Sequence, residues 1–316
     1  MNRRELLATA AAAGTVLVGP KPAAAAARPA DAVRVAHVTD THLTPDRRAP
    51  EGMAALFRHM FDRPDRPEIV LNTGDTVMAI DGGVGGASAA TQVALWKDAI
   101  KHCPVPIHSC LGNHDIWGGK DPTAEVPADK AGAALMVEAL GMPHRWHSFD
   151  HGGWHFVALD SMSALGAVSA EQLAWLEADL AATPKERPVC VLSHLPIVSV
   201  TSSLYGDSRR RGNSIDVPGS WQHADCWLLS EIFRTAGNVR LCLSGHMHTQ
   251  DRCEYRGTWY VCGGAASGAW WNGAEYGFPP CYGLLDLHPD GRFDYEFVDY
   301  GWPAREWRGK RRDGAG

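Results

Sequence analysis

Residues 33–42 read VRVAHVTDTH, a short apolar run that ends in Asp40-Thr41-His42. Apolar runs without polar alternation are typical of β-strands that are covered on both faces. The same pattern, a short apolar run that ends in side chains able to bind metal, recurs four times. The four later runs end in Gly74-Asp75, Gly112-Asn113-His114-Asp115, Ser193-His194 and Gly245-His246-Met247-His248.

The runs alternate with helical patterns, which predicts a layered α/β fold. The predicted strands are Val33–Val38, Ile69–Leu71, Pro106–Cys110, His155–Leu159, Val189–Leu192 and Val239–Leu243. The predicted helices lie near Gly52–Phe61, Thr91–Lys101, Ala131–Leu140, Ala170–Leu180 and Ala224–Thr235. Ser169 and Gln172 have the spacing of a capping box at the start of the fourth helix. Two hairpins are predicted after residue 250, with turns at Arg256-Gly257 and Pro289-Asp290-Gly291.

Ligands of open α/β sheets collect beyond the carboxyl ends of the strands, so the five strand ends should meet at one site. Buried carboxylates and imidazoles at such a place are costly unless they coordinate something. The donors are oxygen and imidazole nitrogen with no thiolate. This set suits Mn, Fe, Zn or Co in an open site better than a structural zinc site.

In this order, D-x-H, G-D, G-N-H-D, a strand-end His and G-H-x-H resemble the five sequence blocks of the calcineurin-like metallophosphoesterases. The resemblance spans residues 34 to 248, and every block is intact. It implies a four-layer α-β-β-α sandwich over residues 28–316, with a metal site at the carboxyl ends of the strands. Within that superfamily the chain is most similar to the bacterial branch of cyclic-nucleotide and glycerophosphodiester phosphodiesterases.

The resemblance also implies a role for each residue of the blocks. One divalent ion would be held by Asp40, His42, Asp75 and His248. The other would be held by Asp75, Asn113, His194 and His246, so that Asp75 bridges the pair. His114 would stay off the metals and face the leaving group, and Asp115 would orient His114.

Two neighbouring cations neutralise the charge of a phosphate ester and lower the pKa of a bridging water. The resulting hydroxide would attack phosphorus in line, while His114 supplies a proton to the departing oxygen. The favoured function is hydrolysis of small phosphodiesters. Two alternatives stay open: a phosphomonoesterase acting on nucleotides or sugar phosphates, and a non-catalytic metal-binding envelope protein. His114 argues against the second alternative, because metal binding alone does not need it.

Residues 1–27 have the features of a twin-arginine signal peptide. Arg3-Arg4 precedes Glu5-Leu6-Leu7 and an Ala-rich stretch, and cleavage is expected between Ala23 and Ala27. We therefore expect a periplasmic or secreted protein without a transmembrane anchor in its mature form. An uncleaved anchor is the less favoured alternative, because the apolar run is short. The net charge of −6 argues against a nucleic-acid polymer as partner, and the oligomeric state is left open.

An oxidising destination would permit disulfides among the eight cysteines. Cys190 and Cys242 lie in apolar runs and are expected to be buried, inert thiols. A bridge between Cys253 and Cys262, across the first hairpin, is left open.

The role of two further segments has two interpretations each. The polar loop 199–222, with Arg209-Arg210-Arg211, either steers phosphate or is simply solvated. Trp270 and Trp271 either stack on a base or sugar or pack in the core, and Trp117 is a third candidate for the rim.

Overall fold

The structure, a computed structural model, describes residues 31–80, 87–116, 132–163, 166–204 and 209–303, without the side chains of residues 209–211. The predicted signal peptide and Trp117 lie outside this part of the chain. The described residues belong to one compact unit that begins at Asp31. Among them, no helix combines the length and the apolar character that crossing a membrane requires.

The first of two large sheets has five strands. They are β1 (Val33–Val38), β2 (Ile69–Asn72), β3 (Ile107–Ser109), β12 (Cys281–Leu287) and β13 (Phe293–Asp299). Their order across the sheet is β13-β12-β1-β2-β3. The neighbours β1, β2 and β3 run parallel, and the final hairpin adds β12 antiparallel to β1. The carboxyl ends of β1, β2 and β3 therefore lie at one edge of the sheet.

The second large sheet has six strands. They are β4 (His147–His151), β5 (Trp154–Ala158), β6 (Val189–Leu192), β9 (Val239–Ser244), β10 (Gln250–Tyr255) and β11 (Thr258–Gly263). Their order is β10-β11-β9-β6-β5-β4. The four inner strands are parallel, and the edge strands β4 and β10 are antiparallel to their neighbours. A separate small hairpin joins β7 (Arg209–Arg211) to β8 (Ser214–Asp216).

Helices cover the outer faces of both sheets. The helices are α1 (Ala49–Phe61), α2 (Ala89–Ala99), α3 (Ala134–Ala139), α4 (Ala170–Ala182) and α5 (Cys226–Ala236). Phe57 of α1 and Trp96 of α2 pack in one cluster with Val70 of the first sheet. Leu176 of α4 and Phe233 of α5 pack in another with strands of the second sheet. The predicted four-layer α-β-β-α sandwich is thereby confirmed.

The layering explains why the run at residues 33–38 lacks polar alternation. All six residues of β1 are buried. Val35 belongs to the cluster between the two sheets, whereas the next residue, Ala36, belongs to the cluster under the helices. Successive side chains of a strand point to opposite faces, and both faces are covered here.

The capping box expected at the start of α4 needs correction. Ser169 caps α4 by accepting from the Gln172 N–H at 3.2 Å, but the Gln172 side chain does not return the bond. It instead pairs with backbone groups of Asp160, so the capping box is only half formed. The loop 199–222 contains the β7–β8 hairpin and a helical turn at Thr201–Ser203.

All eight cysteines are free thiols. In the β10–β11 hairpin Cys253 lies opposite Tyr260, and Cys262 lies opposite Asp251. The bridge between Cys253 and Cys262 is excluded by this register. Cys190 and Cys242 are buried as predicted, and burial raises the pKa of both thiols.

Candidate metal centre

The five sequence blocks meet where the strand ends of the two sheets face each other. Asp40 and His42 follow β1, Asp75 follows β2, and Asn113 follows β3. From the second sheet, His194 follows β6, whereas His246 and His248 follow β9. Each sheet thus supplies part of the donor set, and neither sheet could form the site alone.

A first group of donors is formed by Asp40, His42 and His248, with ligand atoms within 4.8 Å of one another. The two imidazole Nε2 atoms of His42 and His248 are 3.0 Å apart, and Asp40 Oδ1 is 3.3 Å from His248 Nε2. The Nδ1–H of His248 donates to the carbonyl oxygen of Gly268 at 2.6 Å. This bond fixes the tautomer and leaves the lone pair of Nε2 facing the group.

A second group is formed by Asp75, His194 and His246. His194 Nε2 lies 3.3 Å from Asp75 Oδ2, 3.2 Å from His246 Nδ1 and 3.0 Å from Asn113 Oδ1. The outward nitrogens of both rings donate to backbone oxygens, His194 to Thr73 and His246 to Ser220. The inner nitrogens therefore face the amide and carboxylate oxygens, and in the neutral rings each carries a lone pair.

These residues fit a pair of cations. Converging lone pairs repel one another unless a proton or a metal ion lies between them. Asp40 Oδ2 accepts hydrogen bonds from His246 N and Thr39 Oγ1, but the buried Oδ1 accepts none. Asp75 Oδ2 is 3.6 Å from His42 Nε2 of the first group as well as near His194. Asp75 accordingly lies between the two groups, where a shared ligand would be needed.

The backbone of the site is strained at its donors. Five of them have the left-handed conformation that non-glycine residues seldom adopt: Asp40 (φ 52°), His42 (φ 41°), Asp75 (φ 51°), His246 (φ 69°) and His248 (φ 55°). Such conformations persist only where the surrounding structure enforces them, and they cluster at functional sites.

Two glycines of the blocks allow other groups to approach the backbone closely. A Cβ atom on Gly112 would lie 2.2 Å from Asp75 Oδ1. On Gly245 it would lie 2.3 Å from Asp40 Oδ2. The absent side chains leave the space that the two carboxylates occupy.

His114 stands beside the centre, with its side chain 23% exposed. Its Nε2 is 4.0 Å from Asp75 Oδ2, and its backbone N–H donates to Asp75 Oδ1 at 2.8 Å. Its Nδ1 pairs with the carbonyl oxygen of Met78. His42, Asp75 and His114 also lie within ligand distance of one another.

The expected contact between Asp115 and the His114 ring is not formed. The Asp115 carboxylate accepts backbone N–H groups from Thr76, Val77 and Gly112 at 2.9, 3.2 and 3.0 Å. It ties the loop after β2 to the loop after β3, and the carbonyl of Met78 holds the ring instead. Burial and the nearby Asp75 carboxylate raise the pKa of Asp115 to about 7.

Charge is distributed unevenly among the imidazoles. Burial would lower the pKa of His194, but the carboxylates of Asp75 and Asp40 outweigh this effect and raise it to about 9. Burial lowers the pKa of His246 to about 4, with a contribution from the neighbouring His194. In the metal-free protein the proton of the second group therefore resides on His194.

The two tryptophans that follow the last block have different surroundings. Trp271 is buried in the core beside α1, as the packing alternative predicted. Trp270 is half-buried, and its ring centroid lies 4.4 Å from that of His248. The backbone oxygens of Ser220, Gly268 and Met78 were missed by sequence reasoning, since any residue type supplies a carbonyl.

A four-layer sandwich that gathers such donors at its strand ends has the architecture of a metallophosphoesterase. The model of the calcineurin-like phosphoesterase family matches residues 33–250, and the chain belongs to this family. The protein is therefore a hydrolase of a family that is typically dependent on two metal ions.

Among proteins of described activity, the chain is 25% identical over 243 residues to a 3′,5′-cyclic-nucleotide phosphodiesterase of Nostoc sp. The alignment covers 72% of this chain and 76% of the relative. Two solved structures share the fold. A dimetal phosphatase from Danio rerio has a TM-score of 0.60 at 14% identity, covering 85% of this chain and 96% of that one. GAP50 of the Plasmodium inner membrane complex has a TM-score of 0.53 at 17% identity, with 85% of each chain covered.

Proposed function

We propose that this protein is an exported phosphodiesterase that hydrolyses small phosphodiesters at a dinuclear metal centre. The observation that carries the proposal is the position of Asp75 between two groups of donors, with His114 Nε2 4.0 Å from the same carboxylate. The site would thus combine two cations with one side chain able to move a proton.

The first ion would be held by Asp40, His42, Asp75 and His248, and the second by Asp75, Asn113, His194 and His246. Mn, Fe, Zn and Co all suit such oxygen and nitrogen donors. When bound, a metal pair supplies charge neutralisation of the phosphate and an acidified water. The carbonyls of Gly268, Thr73 and Ser220 would keep the imidazoles oriented, so that the donor atoms need not reorganise.

His114 would protonate the leaving oxygen. Its Nδ1 is turned to the Met78 carbonyl, which leaves Nε2 on the side of Asp75. Its backbone N–H donates to Asp75, so the loop that carries the ring is fixed to the centre itself. A diester releases an alkoxide, which needs a proton as it departs, and a histidine can supply one near neutral pH.

The preference for diesters is supported by the similarity to the Nostoc cyclic-nucleotide phosphodiesterase. The test compares rates on bis-p-nitrophenyl phosphate, p-nitrophenyl phosphate and a 3′,5′-cyclic nucleotide. The enzyme is first stripped of metal and then reloaded with Mn, Zn, Fe or Mg. We expect the highest kcat/KM on the diesters. A clear preference for the monoester would replace the proposal with the phosphomonoesterase alternative, and no hydrolysis with any metal would favour the non-catalytic one.

The proposal of export rests on Arg3-Arg4 and the Ala-rich stretch that follows. Replacing both arginines by lysine should leave the precursor in the cytoplasm, because the twin-arginine pathway reads this pair. Cell fractionation with an antibody against the protein measures the outcome. Unchanged export of the Lys-Lys variant would overturn the twin-arginine assignment without affecting the catalytic proposal.

A further inference from the structure

The two donor groups differ in their access to solvent. Asp40, His42 and His248 of the first group are all 2% exposed or less. In the second group Asn113 is exposed and His246 is half-buried. Within the part of the chain that the structure describes, the first group is fully buried, whereas the second, which also contains the buried His194, reaches solvent at Asn113 and His246.

Trp270 forms part of the cover of the first group. Its ring centroid lies 4.4 Å from the ring of His248 and 5.8 Å from the ring of His42. The indole is thus in contact distance of both imidazoles of that group. No ring contact of Trp270 involves His194 or His246 of the second group among the described residues.

The backbone holds this indole in place. Trp270 has a left-handed φ of 49°, and its carbonyl oxygen accepts a hydrogen bond from Arg47 Nη1 at 3.1 Å. The next residue, Trp271, is anchored in the core through its Nε1–H, which donates to the Thr41 carbonyl at 2.9 Å. The hydrogen bonds of the Trp270 backbone and of the neighbouring Trp271 side chain therefore fix the position of the Trp270 ring.

An apolar cover changes how a metal site exchanges its ion. Release requires water to replace the protein donors one after another, and the hydrophobic shell controls the access of that water. A drier site also strengthens the attraction between the cation and Asp40, since charges interact more strongly at low dielectric. The covered site should release its ion more slowly than the open one.

We propose that Trp270 is a cover that slows the release of the ion from the first site. This inference rests on the proposed dinuclear centre.

The test measures ion release, not activity. The protein is loaded with Zn²⁺, its stoichiometry is measured, and it is mixed with excess chromogenic chelator in a stopped-flow instrument. Wild type should release Zn²⁺ in a fast and a slow phase. His246→Ala should lose the fast phase and keep the slow one. Trp270→Ala should accelerate the slow phase by about tenfold or more, since losing a partner of the metal ligands typically costs about 10–100-fold in metal affinity. Trp270→Phe should keep the slow phase close to the wild-type rate.

Two control variants test whether faster release comes from the loss of the indole, from a less ordered loop or from a general loss of stability. Arg47→Ala removes the bond to the Trp270 carbonyl but keeps the ring, whereas that bond persists in Trp270→Ala. Trp227→Ala removes an indole that is 63% exposed on α5, and it should leave both phases unchanged. An equal acceleration in Arg47→Ala would assign the effect to loop order and overturn the covering role.

The outcomes distinguish the role of Trp270 from the proposed dinuclear centre on which it rests. A wild-type protein that binds fewer than two Zn²⁺ ions would contradict the dinuclear centre. Two bound ions with a slow phase that is the same in wild type and Trp270→Ala would leave the centre standing and overturn the role of Trp270.

Discussion

The indole N–H of Trp271 donates to the backbone carbonyl of Thr41, and the ring of the same residue lies against Gly52 of α1. Thr41 separates the donors Asp40 and His42. One buried side chain thus connects the loop of the first sequence block, the segment after the last block and the first helix. A Cβ atom placed on Gly52 would lie 2.0 Å from the Trp271 ring.

Gly52→Ala should destabilise the protein. Alanine ordinarily stabilises a helix interior by about 1 kcal/mol relative to glycine, but overpacking a filled core costs about 1–3 kcal/mol. Because the clash involves a ring that is buried and hydrogen-bonded, we expect the cost to exceed the gain. Urea unfolding measures the difference. The same change in a Trp271→Leu background should cost less, and an equal cost in both backgrounds would contradict the clash.

Asp75→Ala should empty both metal sites and abolish activity, because this carboxylate lies between the two groups. His246→Ala is the matched variant, since it removes a donor of the second group only. Elemental analysis after gel filtration should show neither ion in the first variant and one in the second. Two full equivalents in Asp75→Ala would refute the shared role of this residue.

His114→Ala should keep both metals and lose activity selectively. Alkyl leaving groups need a proton, whereas p-nitrophenolate departs without one. We expect a loss of about 100-fold or more on an alkyl diester and a much smaller loss on bis-p-nitrophenyl phosphate. Equal losses on both substrates would indicate charge stabilisation instead. Loss of an ion would make His114 a ligand, a role that its distance to Asp75 and His42 permits.

Metal affinity should rise with pH between about 7 and 9. In the metal-free protein the pKa of His194 is about 9, so its ring is protonated at pH 7. Metal binding requires the neutral imidazole and must release that proton. Below pH 9 the apparent affinity for the second ion should therefore fall by about tenfold for each pH unit. Calorimetric titrations in buffers of different ionisation enthalpy count the protons, and a flat affinity from pH 7 to pH 9 would contradict the assignment.

Much of the fold was predictable because its strands are buried on both faces. β1 and β6 begin and end where their apolar runs do, and the polar residues after the runs mark the carboxyl ends. The β7–β8 hairpin was missed although Gly212-Asn213 between its strands is a recognised two-residue turn signal. The prediction that Asp115 contacts the His114 ring was wrong. Three backbone N–H groups bind its carboxylate instead, and the geometry of the loops determines this choice of partners.

The division of each donor group between two sheets has a consequence for the persistence of the protein. An ion in either group would join strand ends of one sheet to strand ends of the other and so hold the two sheets together at this edge. An ion present at 100 times its dissociation constant adds about 2.7 kcal/mol to the stability of a fold that binds it only when native. That amount is a large share of the 5–15 kcal/mol that usually separates folded from unfolded protein. Scarcity of metal would therefore shorten the lifetime of the folded protein as well as abolish its activity.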